Sequence, residues 1–386
     1  RTAGHNLCGY AIALPGARRR TGRIENNAFM ILLLTSLALA FLLGFSAHRA
    51  SICTVAAVAE VLSSRTAIVF LSFLKLILWV TLVNGLLVLW MPELARPRTV
   101  DLVTLSTVMG GFLFGAGAAI NGGCSFSTIS KIAQGNLHVA FTLPSFVIGV
   151  IVSAKTVASA GVDVAMTVPP MSDRMYLAVL VILSLWGLWE LGRIALPNIR
   201  GAGIWQGMKA GRYRLSTGVA MIGIGSGFLY AIHGRWAYSS QIVDSFIERP
   251  HLQTAGADLA IWLFIALLAG ALASAVTSRE FSYSFERDML ARNIVGGFLM
   301  GFGAMMVPGG NAALLLQDLP ALSVRALVAY AAMVVGIATA LWFVKRVMGA
   351  TVTVSCDGEF CSMKKHVPGK GHYGGRLGSR KEADGG

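Results

Sequence analysis

Gly110-Gly111-Phe112-Leu113-Phe114-Gly115-Ala116-Gly117 returns as Gly296-Gly297-Phe298-Leu299-Met300-Gly301-Phe302-Gly303, identical at six of eight positions and offset by 186 residues. Each copy runs into a Gly-Gly pair followed by a thiol or polar residue: Gly122-Gly123-Cys124 in one, Gly309-Gly310-Asn311 in the other, with one residue inserted. The same offset pairs Arg49 with Arg235, Cys53 with Ser239 and Thr54 with Ser240. Two separated regions in one register identify an internal duplication.

The surroundings of the two copies fix the medium. Hydrophobic residues make up 55% of the 386 positions and charged residues 13%, where a soluble domain carries about a quarter. The charges avoid nine apolar segments, at 28–45, 66–91, 102–120, 137–161, 175–196, 215–232, 256–277, 293–307 and 322–344. Most reach the roughly 17–25 residues that cross a hydrocarbon core. The expected fold is an all-α polytopic membrane protein, with about nine transmembrane helices in two inverted four-helix repeats with re-entrant half-helices. Its parts are an N-terminal extension (1–27), a first repeat (28–161), a connecting helix and loops (162–214), a second repeat (215–344) and a basic, disordered tail (345–386). Inversion follows because an odd number of spans, five, precedes the first helix of the second repeat.

The net charge of +14 lies at span ends, in Arg18–Arg20, between Arg193 and Arg214, and beyond Lys345. Those positions set topology and meet lipid headgroups. With no aromatic platform beside them, nucleic acid is excluded as a partner. Lys and Arg number 19 on the side of the C-terminus and 11 on the other, which predicts a cytoplasmic tail. The first 27 residues lack the apolar core of a signal peptide.

Two short stretches interrupt the spans, His48 to Val58 and Asn121 to Lys131. Such backbone survives at membrane depth when it is buried in protein or lines a cavity. Gly122 and Gly123 let the chain turn, Ser125 is placed to cap the next helix, and an inward helix N-terminus offers N–H groups to an anion. Gly309, Gly310 and Asn311 are expected to do the same from the second copy, beside Ser239. Cys53 and Cys124 put soft sulfur at the first-copy turns, which suits a sulfur-bearing anion better than phosphate. Arg49, Arg235 and Lys75 are candidates for anion attraction, while Lys155 and Glu190 lie near span ends. Trp236 and Tyr238 read as interfacial aromatics. Cys356 and Cys361 are too few to make a zinc site, so no metal or cofactor is assigned. Gly301-Phe302-Gly303 lies inside a span and is packing rather than a phosphate loop.

The chain resembles the YeeE/YedE family of sulfur-compound permeases through Arg49-Ala50-Ser51-Ile52-Cys53-Thr54, Gly110-Gly111, Gly122-Gly123-Cys124 and Gly135-Asn136-Leu137. The resemblance implies a narrowed central path along which cysteines pass thiosulfate by S–H···S contacts in a bacterial inner membrane. It also implies that Cys53 and Cys124 are two of those cysteines. The second copy departs from the pattern, with Asn311 and Ser239 where thiols would stand. The leading reading is therefore a permease, not an enzyme, for thiosulfate or a related anion, with lipid around it and a cytoplasmic sulfur-acceptor protein as a further partner. Two alternatives are weaker. An intramembrane sulfurtransferase using Cys124 has only His48 as a nearby base, and a carrier of a soft metal or selenium compound has too few ligands at the turns.

Overall fold

The computed structural model describes residues 15–91, 99–101, 103–157, 165–167, 173–200, 211–234, 236–244, 257–307, 309–348, 351–366 and 372–373. In chain order the elements are α1 (Pro15–Ala50), α2 (Thr54–Ser64), α3 (Ile68–Trp90), β1 (Thr99–Asp101), α4 (Leu105–Asn121), α5 (Ser125–Ala133), α6 (Leu137–Ala140), α7 (Thr142–Val157), β2 (Ala165–Thr167) and α8 (Asp173–Arg200). There follow α9 (Leu215–His233), α10 (Tyr238–Asp244), α11 (Ala257–Thr277), α12 (Arg287–Met306), α13 (Gly310–Ala313) with a π-helical turn at Leu314–Asp318, and α14 (Val324–Met348). Three strands close the described chain: β3 (Thr351–Asp357), β4 (Phe360–His366) and β5 (His372–Tyr373).

Nine helical stretches among the described residues are long and apolar enough to cross a membrane, and they coincide with the nine apolar segments of the sequence. The protein is a multi-pass membrane protein. Its outer face leaves Leu34, Leu71, Ile182, Leu188, Trp262 and Phe343 exposed, an apolar belt that only lipid can cover. The eighth span begins at Arg287, earlier than its apolar run, because a charged first turn stays helical at the membrane surface.

The spans alternate in direction. Segments that follow the first, third, fifth, seventh and ninth spans gather at one end: Tyr213 N donates to Arg49 O, Ser282 N to Gln134 O, and Leu215 N to Glu359 O. At the other end β1, after the second span, pairs antiparallel with β2, after the fourth.

Helix packing repeats at the 186-residue offset. Gly110 of α4 lies on Gly303 of α12, and Gly296 of α12 lies on Gly117 of α4, so the contact maps onto itself. Gly115 abuts the Met333 carbonyl of α14, and Gly301 abuts the Phe146 carbonyl of α7. A Cβ at any of these glycines would strike backbone or, at Gly110, the Cβ of Met306, so the helices approach as closely as small-residue interfaces in membranes allow. The packing of α1 on α11 is matched by that of α9 on α3.

Two expectations are corrected. Residues expected in a disordered tail instead form a hairpin, with β3 paired to β4 in the register Cys356↔Cys361 and a disulfide joining those two cysteines. The signal was present but masked by basic composition: Val352 and Val354 alternate with hydroxyl residues, and Asp357-Gly358 supplies a turn with Gly358 at φ 57°. Val354 is buried, Ser64 Oγ donates to its carbonyl, and its N–H donates to Ser63 Oγ at 3.2 Å. The hairpin is thus seated on the C-terminal end of α2. Trp236 is buried among Ile52, Leu215 and Leu315 in one core cluster rather than placed at a lipid interface.

Candidate functional site

Two half-helices converge on one point. In α2 and α5 the residue before the first helical turn is a cysteine, Cys53 and Cys124, each with extended backbone. Both helices run outward from there. The end of α2 meets the hairpin, and the end of α5 meets the 282–284 loop through Gln134 O and Gly135 O. Their N-termini therefore point into the protein, and the free N–H groups of a first turn carry partial positive charge.

The reversal between α4 and α5 needs glycine. Gly122 ends α4 at φ 78°, a left-handed conformation that side-chain-bearing residues adopt only with strain. The equivalent turn in the second copy has Gly309 at φ 86° and Gly310 at φ 63°, and Phe114 occupies the space a Cβ on Gly310 would need. From this second turn Asn311 reaches the first copy, since Thr54 Oγ1 donates to Asn311 Oδ1 at 3.0 Å. Asn311 Nδ2 is buried with no hydrogen-bond partner among the described residues. Buried donors are nearly always paired, and this one is open beside two helix N-termini.

Cys53 and Cys124 lie in one buried cluster, and Cys53 Sγ donates to Ser127 Oγ at 3.5 Å. Cys124 is fully buried and Cys53 is 4% exposed, so an ion reaches them only after neighbouring groups move. Ser125 is the first helical residue of α5 and does not cap it; Cys124 holds the cap position without a side-chain bond. In the second copy Ser239, the counterpart of Cys53, donates from its Oγ to Gly309 O at 2.6 Å. Pro308 and Arg235 lie outside the described residues.

Three residues escaped the sequence reading. Lys131 Nζ donates to Gly122 O at 2.6 Å and interacts electrostatically with both thiols. Its signal was its spacing: Cys124, Ser127 and Lys131 recur at helical intervals and share one face of α5. Ser127 belongs to that face. The Tyr330 hydroxyl, from α14, lies against Thr54 and was invisible because nothing local distinguishes it from its apolar neighbours.

The other candidates lie apart. Lys75 Nζ donates to Glu190 Oε1 at 2.6 Å and to Ser216 Oγ at 2.8 Å. Ser216 Oγ in turn donates to Glu359 Oε1 at 2.6 Å, tying α3, α8, α9 and the hairpin turn together. His48 contacts Ser274 Oγ at 2.9 Å, Gln134 Nε2 at 3.3 Å and Glu280 Oε2 at 3.6 Å rather than Cys124. Arg49 stacks over Phe45 at 4.4 Å and over Tyr213 at 5.3 Å, and its Nη2 donates to Thr277 Oγ1 at 2.9 Å. At this same end burial pushes the Glu280 carboxyl above its ordinary range against the pull of Arg212, and burial lowers Arg212.

Residues 49–339 match the family model described as sulphur transport. The chain is also similar to a thiosulfate transporter, TsuA, of Spirochaeta thermophila. The two are 23% identical over 356 residues, which cover 81% of this chain and 99% of that protein.

Proposed function

The chain belongs to the sulphur transport family, and on that premise we propose that it imports thiosulfate or a closely related sulfur anion through the point where α2 and α5 meet. One observation carries this reading: two buried thiols, each heading a half-helix that points inward, lie in one cluster with Lys131 on the same face of α5. Thiosulfate is a dianion with a soft terminal sulfur and a hard sulfonate end. Soft thiols suit the first, and helix N–H groups, Lys131 and Asn311 Nδ2 suit the second. Gly122, Gly123, Ser125, Ser239, Gly309 and Gly310 form the two turns that narrow the path. In the transport step no bond of the ion breaks, so the path itself is not an active site.

The architecture supports alternating exposure of that point. Spans that alternate in direction, and packing contacts that recur at the 186-residue offset, fit an inverted repeat with the binding point between its halves. Lys75 belongs to the Glu190 network, and we assign it to holding helices together. The Lys and Arg bias supports a hairpin end on the cytoplasmic side, and in a bacterial inner membrane a soluble sulfur acceptor would meet the emerging ion there. Reporter fusions at the tail test the orientation, and an extracellular tail overturns it.

The deciding experiment is uptake of radiolabelled thiosulfate, sulfate and sulfite into proteoliposomes holding the purified chain. Thiosulfate should enter fastest and be competed poorly by sulfate. Equal rates for all three would remove the role given to the thiols.

A further inference from the structure

The duplication supplies its own control. The glycine contacts between α4 and α12 recur at the 186-residue offset, so what close packing needs is present twice. One polar arrangement is present once. Asn121 ends α4, and its carboxamide bonds to four groups. Nδ2 donates to Gly123 O and to Thr128 Oγ1, each at 3.0 Å. Oδ1 accepts from Thr142 Oγ1 of α7 at 2.8 Å and from Asn293 Nδ2 of α12 at 2.7 Å. Both hydrogens and both lone pairs of one side chain are thereby used. Asn293 Nδ2 also donates to Asn121 O at 3.3 Å, the last carbonyl of α4. Asn121, Thr128, Thr142 and Asn293 are all buried, where a bonded polar network holds its members in one arrangement.

At the second turn Val307 stands for Asn121, and Thr107 stands for Asn293. The equivalence holds in space as well as in number. A Cβ on Gly296 would meet Asn121 N at 2.6 Å, and one on Gly110 would meet Val307 Cγ2 at 3.1 Å. Valine therefore fills the packing role, and the amide is not needed to bring the two helices together. What the first turn carries and the second lacks is a thiol, Cys124 against Asn311.

The bonds lead to that thiol. Gly123, whose carbonyl Asn121 holds, is the residue before Cys124. Thr128 Oγ1 passes its own hydrogen to Cys124 O at 3.0 Å, and Ser127 Oγ donates to the same carbonyl at 3.1 Å. Asn121 thus grips the peptide unit before Cys124 directly and the one after it through Thr128. Peptide units are planar, so fixing both fixes the direction in which the Cys124 side chain leaves the backbone.

We propose that Asn121 and Asn293 are positioning residues for transport, an amide pair through which α12 of the second copy sets where the Cys124 thiol meets the sulfur of the anion. The inference rests on the transport reading for its ligand. Neither side chain touches the ion; both act through the turn and through Thr128. Asn293 stands on the helix that leads to Gly309 and Gly310, so the pair joins the first turn to the element that carries the second. Discrimination between a soft sulfur and a hard oxygen needs the thiol at one distance from the ion, and this pair supplies that constraint.

The test gives the first turn the pair that the second already has. N121V combined with N293T reproduces Val307 and Thr107, and it removes the Asn293 amide together with its acceptor. Uptake of radiolabelled thiosulfate and sulfate is measured in proteoliposomes holding the full chain, normalised to monodisperse protein. The ratio of thiosulfate to sulfate entry should fall by on the order of tenfold, as expected when one contact to a charged group is misplaced. A purely structural pair would lower yield, or both rates together, and leave the ratio at its parental value. That unchanged ratio in a folded variant overturns the proposal. Where the double variant is not recovered folded, T142V decides, since it deletes one bond to Asn121 with little change of shape. A smaller fall in the ratio supports the pair, and a parental ratio overturns it. A parent that takes up no thiosulfate sinks the transport reading itself, whereas a selective parent with an equally selective variant sinks only this role.

Discussion

Replacing Lys131 by Met keeps an unbranched stem and removes one charge from beside the thiol pair. Its ammonium lies 2.6 Å from Gly122 O and 3.4 Å from where a Gly123 Cβ would stand. An anion held at the first turn of α5 would sit roughly 5 Å from it, and at an effective dielectric near 20 a pair of unit charges at that range is worth about 3 kcal/mol. Lost from the binding step, that is roughly a hundredfold in thiosulfate affinity. The bond to Gly122 O also goes, which should cost about 1–3 kcal/mol of stability. Uptake in proteoliposomes, normalised to monodisperse protein and set beside a melting curve, separates the two effects. Lys131→Arg should recover part of the affinity, since it restores the charge at the cost of a bulkier head. A Lys131→Met protein with parental apparent affinity would show that the ion never comes near α5.

Three further outcomes follow from the packing and charges. Glu190→Gln leaves Lys75 with a neutral partner at a fully buried carboxyl position, and should lower stability by about 2–4 kcal/mol on a thermal-shift scale while uptake per folded molecule stays near parental. Gly310→Val combines a φ of 63° with a clash against the Phe114 ring, so it should cost at least about 2 kcal/mol and reduce recovery from the membrane; normal yield and melting would argue that this turn is not as described. The Glu280 carboxyl is held above its ordinary value, so the folded state binds a proton that the unfolded chain has released. Stability should therefore fall as pH rises from the ordinary carboxylate range through the raised value, and remain lower above it. Glu280→Gln should flatten that decline, and an unchanged pH profile would assign it to another group.

The spans were readable from the sequence because a membrane imposes its requirement locally: each needs about twenty apolar residues in a row, and each advertises itself. The glycine repeat was readable too, since close helix approach leaves Gly110, Gly117, Gly296 and Gly303 as an unmistakable spacing. The cysteines at the turns could be named in advance, but not their meeting in one cluster, because Cys53 and Cys124 are 71 residues apart and only the folded chain brings them together. Lys131 was hidden by its neighbours. It ends the short stretch read as a re-entrant half-helix from its glycines and cysteine, and its importance depends on the left-handed turn at Gly122 bringing that residue's carbonyl into reach. Lys75 stood out as an intramembrane charge, yet its partner Glu190 lies on a helix 115 residues away, a distance over which sequence carries no pairing information. The hairpin was missed for a different reason, as basic composition outweighed the weak alternation of Val352 and Val354.

The most direct test of the thiol path compares Cys124→Ala with Cys124→Ser by radiolabelled uptake of thiosulfate and sulfate. Cys124 is fully buried at the head of α5, and alanine removes little more than one sulfur atom, so the fold should survive with a loss near 1 kcal/mol. Removing the donor from a bare ion should cost about 1.5–3 kcal/mol at the transport barrier, a slowing of roughly ten- to a hundredfold for thiosulfate. Serine, a harder donor, should restore sulfate entry more than thiosulfate entry and so shift the ratio between them. A well-folded Cys124→Ala protein that takes up thiosulfate at the parental rate would contradict the account, and Cys124 would then be a packed core residue.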